Sequence, residues 1–144
     1  MKNSKIRELL QNKNLKVTTN RYNLLNKLDK YGSAMSYSTI QKQMSPIDRV
    51  TLYRTIEKLK EKGLIHKAYQ ENNEIYYAIC DVKCNENHRC HEHVHFKCSE
   101  CNTIQCEEVD STFSFLLPKY KIHKVSINIE GLCDNCIWWQ LNTP

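Results

Sequence analysis

The chain lacks the marks of a membrane protein and of the common hydrolases. No apolar run approaches the roughly 18 residues that a membrane-spanning helix needs, and Met1-Lys2-Asn3-Ser4 leads into no apolar stretch of the kind a signal peptide carries. Only three glycines are present, none in a phosphate-cradling loop, and no His-Glu-x-x-His run offers a hydrolytic zinc. No nucleophile stands beside an obvious base, so a zinc or thiol enzyme is a remote alternative. Neither a membrane nor a small-molecule substrate is expected as partner. The expected compartment is the cytoplasm, where eight cysteines stay reduced and act as thiolate ligands rather than disulfides.

What is present is unevenly spread. The net charge is +5, and residues 1–70 carry most of the excess Lys and Arg, while the cysteines and most of the six histidines follow residue 79. A basic first half points to a polyanion, and a ligand-rich second half to a metal. With 144 residues the chain allows one ordinary domain or two small ones. A small domain buries little surface, so a metal clamp would help to hold it.

The clamp is legible as Cys98-Ser-Glu-Cys101 answered by Cys133-Asp-Asn-Cys136. Each Cys-x-x-Cys pair can turn a knuckle that presents two thiolates, and zinc suits four sulfurs. Residues 102–132 form too long an interval for a compact ribbon, so a subdomain must fold between the pairs. A site closed by four cysteines leaves no position for a substrate, and this zinc is expected to be structural.

In the first half, Ser4 can cap a short helix bearing Ile6, Leu9 and Leu10. Thr19 caps a second with Tyr22, Leu25 and Leu28, stopped at Gly32. Ser36 or Ser38 starts a third, with Ile40 and Met44 inward, ended before Pro46. Asp48 caps a fourth over 49–62, with Gly63 as its stop. Leu52, Ile56 and Leu59 share one face of this helix, and Thr51, Arg54, Thr55 and Lys58 another suited to a major groove. Two β-rich runs, 64–70 and 74–80, flank a polar turn and make a hairpin. Helices followed by a hairpin describe a winged helix-turn-helix. In it Tyr53 and Arg54 reach bases or phosphates, while Lys16 and Arg21 position the DNA backbone.

In the second half, strands are expected at 94–97 and 103–107, a helix at 110–117, and a half-buried strand through Val125, Ile127 and Ile129. Trp138 and Trp139 call for cover from a partner subunit or from that helix. The fold class is therefore α+β: a winged-helix DNA-binding domain (1–80), a ligand-rich linker (81–92) and a small α/β metal-binding domain (93–144).

A second metal site is expected where histidines alternate. His91, His93 and His95 project to one side of an extended chain. If the hairpin turn centres on Asn72, Cys80 pairs with Leu64 and lies diagonally from His66 on the same face. The expected sensory ligands are His66, Cys80, His93 and His95. Cys84, His91 and Cys106 are further candidates, and Cys90 is another donor in the linker. Mixed sulfur and nitrogen donors favour zinc over iron or manganese. An ion spanning hairpin and linker would set the angle between the halves, a route to regulation.

Leu15-Lys-Val-Thr-Thr-Asn-Arg21, Asp48-Arg-Val-Thr-Leu-Tyr-Arg54 with Leu59 and Gly63-Leu64, His93-x-His95-x-x-Cys98-x-x-Cys101 and Gly131-Leu-Cys133-x-x-Cys136 together resemble the ferric uptake regulator superfamily of bacterial metal-dependent repressors, over nearly the whole chain. The resemblance implies that 93–144 is an α/β dimerisation domain and that the homodimer binds an inverted-repeat operator in double-stranded DNA when metal-loaded. Iron- and peroxide-sensing members usually place a His before the third helix, where this chain has Ala34. They carry an acidic ligand at the end of the wing, here Tyr77, and an acidic residue five past the first knuckle, here Cys106. His66, Cys80, His93 and His95 look like the sensor ligands of zinc uptake regulators. The sensed metal is therefore expected to be zinc, with an iron- or peroxide-responsive repressor of the same superfamily as the alternative.

Overall fold

The computed structural model describes residues 3–80, 93–108, 116–123, 125 and 127–144. Its first half runs α1 (Asn3–Asn12), α2 (Thr19–Tyr31), β1 (Met35–Ser36), α3 (Tyr37–Gln43), α4 (Arg49–Glu61), β2 (Ile65–Glu71) and β3 (Glu74–Ile79). The helix starts follow from local chemistry. Thr18, one residue earlier than expected, caps α2: its backbone is extended and its hydroxyl accepts from the Arg21 N–H, whereas Thr19 is already helical. Ser4 likewise lies inside α1. Ser36 caps α3 and Asp48 caps α4. Gly32 ends α2 with φ +74°, a left-handed conformation that L side chains rarely adopt.

Strands β2 and β3 form the expected hairpin, with Asn72 (φ 50°) and Asn73 (φ 63°) as its two-residue turn. That turn pairs Glu71 with Glu74 and Tyr69 with Tyr76. Continued regularly, the register would place Cys80 opposite Ile65, on the other face from His66. Instead a bulge between Lys67 and Tyr69 shifts the ladder by one residue, so that His66 pairs with Ala78 and the Cys80 N–H bonds the Leu64 carbonyl at 3.0 Å. The bulge produces the pairing that a turn centred on Asn72 would have given. It also puts His66 and Tyr69, three residues apart, on one face, because their partners Ala78 and Tyr76 are two apart.

The sheet, ordered β1-β3-β2, has a different neighbour on each face. Met35, Ile65, Tyr77, Ile75 and Ile79 pack into the helical core with Leu24, Leu25, Ile40, Leu52, Ile56 and Leu59. Ala34, Ala68 and Ala78 face the second half and pack on Ile104, with Tyr69 and Tyr76 beside them. A backbone bond crosses this seam, from the Ala34 N–H to the Ile104 carbonyl at 2.8 Å. Small side chains on one side of the seam permit so close an approach.

The second half contains β4 (His93–Cys98), β5 (Ile104–Glu108), β6 (Asn128–Gly131) and α5 (Asp134–Asn142), the strands ordered β5-β4-β6. β4 is antiparallel to β5 and parallel to β6. The strand expected through Val125, Ile127 and Ile129 begins only at Asn128. Most of the helix expected at 110–117 lies outside the described residues, and Leu116 and Leu117, which are described, are not helical. The linker 81–92 also lies outside them. No expectation covered α5, which starts at the second knuckle with Cys133 as its N-cap.

Candidate metal centres and DNA-reading face

Four sulfurs converge where β4 ends, in the turn that follows it, and at the start of α5. The thiols of Cys98, Cys101, Cys133 and Cys136 all lie within 4.8 Å of one another, and Cys101 Sγ is 3.8 Å from Cys133 Sγ. Zinc–sulfur bonds of about 2.3 Å arranged tetrahedrally set sulfurs ~3.8 Å apart, so the donors fit a zinc ion. Asn102, with φ 58°, turns the chain immediately after the first pair.

Sulfurs this crowded divide their protons unevenly. The N–H groups of Cys101 and Cys133 lower the Cys98 thiol to about 6, with the Cys133 N–H 3.4 Å from its sulfur. Thr103, 3.1 Å from Cys101 Sγ, lowers that thiol too. Cys133 and then burial push Cys136 up to about 12. Four thiolates this close repel one another, a dication offsets half of their charge, and taking it up releases the remaining protons.

The second cluster joins both halves. His66 of β2, His95 of β4 and Cys106 of β5 present donor atoms within 4.8 Å of one another. His66 Nε2 is 3.3 Å from His95 Nε2 and 3.2 Å from Cys106 Sγ. Zinc–nitrogen bonds of 2.0–2.1 Å give a tetrahedral edge of ~3.3 Å, so the two imidazoles fit, while the sulfur sits a little inside the ~3.6 Å of a nitrogen–sulfur edge. The rings stack with centroids 5.4 Å apart, and His95 is buried. Cys80 meets His66 from the opposite side, its Sγ 3.3 Å from Nδ1. One imidazole gives one nitrogen to an ion, so the contacts of His66 separate Cys106 and Cys80 onto different ring atoms.

Of the other candidates, His93 lies on β4, paired with Glu108, and its side chain falls outside the described residues, as do Cys84, Cys90 and His91. Tyr77 is buried against the helices, away from the cluster, and burial raises its phenol. Ala34, one of the positions compared with iron- and peroxide-sensing members above, is buried at the seam.

On α4 the outward face is narrower than the spacing suggested. Thr55 is a correction: it is only 8% exposed, and its hydroxyl donates to the Thr51 carbonyl at 2.7 Å, so it belongs to the inner face. Thr51 is half-buried, its hydroxyl donating to the Asp48 carboxylate at 2.6 Å and its N–H to the same group at 2.9 Å; these bonds hold Asp48 below its ordinary pKa. Lys58 pairs with Glu61 at 3.1 Å. Tyr53 and Arg54 are exposed, and their side chains make no hydrogen bond or ion pair among the described residues. Val50, 57% exposed three residues before Tyr53, was missed by sequence reasoning, although its i, i+3 spacing could have found it. Lys16 is exposed, and Arg21 Nη1 donates to the Lys16 carbonyl at 2.9 Å, fixing the loop that enters α2. Trp138 and Trp139 stand edge-on to each other on α5 and remain mostly exposed beside Ile137 and Leu141. No helix among the described residues is long and apolar enough to cross a membrane.

Comparison with known proteins identifies the family and the fold. Residues 12–130 match the ferric uptake regulator family. A zinc uptake regulation protein of Mycobacterium tuberculosis is 29% identical over 119 residues, covering 78% of this chain and 85% of that protein. A ferric uptake regulation protein of Staphylococcus aureus is 25% identical over 133 residues, covering 90% and 93%. A zinc uptake regulator solved with zinc and DNA superposes with a TM-score of 0.72 at 17% identity, covering 96% of this chain and 95% of that one. The chain belongs to the ferric uptake regulator family of metal-responsive, DNA-binding repressors.

Proposed function

We propose that this chain is a zinc-responsive repressor that binds inverted-repeat DNA as a homodimer. Cys98, Cys101, Cys133 and Cys136 hold a structural zinc, and His66, His95 and Cys106 are the core of a sensory zinc site. His93 completes that site. Cys80 orients His66 through Nδ1, the outer-sphere role that commonly fixes a ligand imidazole. The observation carrying this reading is that the three core donors come from β2 in the first half and from β4 and β5 in the second. An ion bound among them ties the reading head to the other half, which biases one arrangement of the two. Nitrogen and sulfur donors favour zinc over iron.

Arg54, Tyr53 and Val50 are the side chains best placed to read base edges, with Thr51 and Lys58 at the margin and Lys16 and Arg21 aligning the backbone. The exposed Ile129, Ile137, Trp138, Trp139 and Leu141 suit a dimer surface on the second half. A dimer sets two reading heads about one DNA turn apart.

The test is selection from random duplex DNA with the zinc-loaded chain, followed by binding titrations. An inverted repeat should be enriched, and affinity should fall steeply with salt. Chelating the labile zinc should release the DNA, and His66→Ala should need at least about 100-fold more zinc. Binding that ignores labile zinc overturns the reading. Activation by ferrous iron instead, or release by peroxide alone, replaces it with an iron- or peroxide-responsive one.

A further inference from the structure

The seam between the halves has a second polar end, apart from His66, His95 and Cys106. Tyr69 and Glu71 lie two residues apart on β2, on the face the bulge turns towards the second half. Opposite them stand Lys97 of β4 and Glu130 of β6, which are direct partners across the parallel ladder. The Tyr69 hydroxyl donates to Glu130 at 3.0 Å, Lys97 pairs with Glu71, and the Lys97 ammonium sits 5.3 Å from the centre of the Tyr69 ring. The Lys97 side chain is only 12% exposed and that of Glu71 43%, so the pair is shielded from water at its lysine end. Each of the four residues touches at least one across the seam.

We propose that Tyr69, Glu71, Lys97 and Glu130 form a metal-independent clasp that positions the reading head on the second half. Along β2 the seam then has three parts. His66 is the metal end, Ala68 packs on Ile104 in the middle, and Tyr69 with Glu71 is the clasp. Because the bulge aligns His66 and Tyr69, closing either end favours closing the other. The clasp gathers the sensory donors before zinc arrives, and by linkage it raises the affinity of that site. The same arrangement keeps the metal-free head attached rather than loosely tethered. This regulatory consequence rests on the proposed function, whereas the contact itself does not.

The Ala34 N–H, bonded to the Ile104 carbonyl, reports directly on opening of the seam. Its hydrogen exchange is measured in the full chain with the four-cysteine zinc in place but no second metal and no DNA. Lys97→Met should speed exchange at Ala34 about tenfold, and Tyr69→Phe about threefold, with the buried amides of Leu24 and Leu52 unchanged. Lys97→Arg, which keeps the charge and can stack on the ring, should stay near the parent. An unchanged Ala34 rate in Lys97→Met overturns the clasp. So does equal acceleration at Leu24 and Leu52, or failure of Lys97→Arg to restore the rate. Zinc titration of the second site is the companion measurement, with apparent affinity in Lys97→Met expected to weaken by a similar factor. Unchanged zinc affinity alongside faster Ala34 exchange overturns the coupling.

Discussion

The two candidate metal centres are built from similar donors but draw them from different parts of the chain. The four cysteines come from β4, its following turn and the start of α5, all within one half, so an ion there holds that half together. His66, His95 and Cys106 come from both halves, so an ion there would change how one sits on the other, as proposed. A site whose donors share one folding unit contributes to stability, and a site whose donors are split between two units can contribute to signalling. The chemistry of the ligands alone would not have separated these roles.

The largest expected effect tests the first member of that pair. Cys133→Ser should lose stoichiometric structural zinc and with it the fold of the second half, seen as lost zinc content, lost ellipticity and a changed elution volume. If the variant keeps its fold and dimer, the clamp is not structural. For the second member, Cys106→Ser should weaken the sensory metal at least about 100-fold while sparing the four-cysteine zinc. Cys80→Ser should cost less, about 10- to 100-fold. Cobalt loaded into the second site alone sharpens the distinction: its sulfur-to-metal charge-transfer band should vanish in Cys106→Ser and persist in Cys80→Ser. The reverse result would exchange their roles.

Smaller effects belong to the reading head, where neither metal should matter. Arg54→Ala should lower operator affinity by about 1–3 kcal/mol at saturating zinc. Thr55→Val, on the inner face, should change it by less than about twofold. The smallest concerns Glu74, which accepts from the Ser38 N–H at 2.8 Å and hydroxyl at 2.7 Å, tying β3 to the start of α3. These bonds lower its pKa from the ordinary 4.5, the Ser38 side-chain bond most. A carboxylate with a depressed folded pKa stabilises the protein above its unfolded value and loses that contribution as pH falls through the folded one. Glu74→Gln should therefore lower Tm by about 2–3 °C at pH 7, and the gap to the parent should close below pH 4.5. Zinc affinity at either centre should not change.

Much of this was legible in the residues. The Cys-x-x-Cys pairs could be read because each knuckle is local, and the helices because Asp48, Ser36 and Gly32 act within a turn of themselves. The hairpin followed from polar residues at its turn, and the outward face of α4 largely from helical spacing. Thr55 was misassigned because 3.6-residue periodicity leaves the edge of a face ambiguous, and the packing of the inner face decided it. The nearness of Cys106 to His66 was not legible, because strand pairing within a hairpin can be counted, whereas the approach of β5 to β2 cannot. The clasp left no sequence signal at all, since Tyr69, Glu71, Lys97 and Glu130 form no motif.

The order of residues alone determined that there is a basic, helix-rich head with a hairpin and a sulfur-clamped tail, because caps, turns and knuckles act over a few residues. Only the tertiary structure decided which donors meet and which face of the hairpin they use. A single bulge at Ala68 reverses the facing of every residue beyond it, and the docking of the second sheet then selects what His66 and Tyr69 touch.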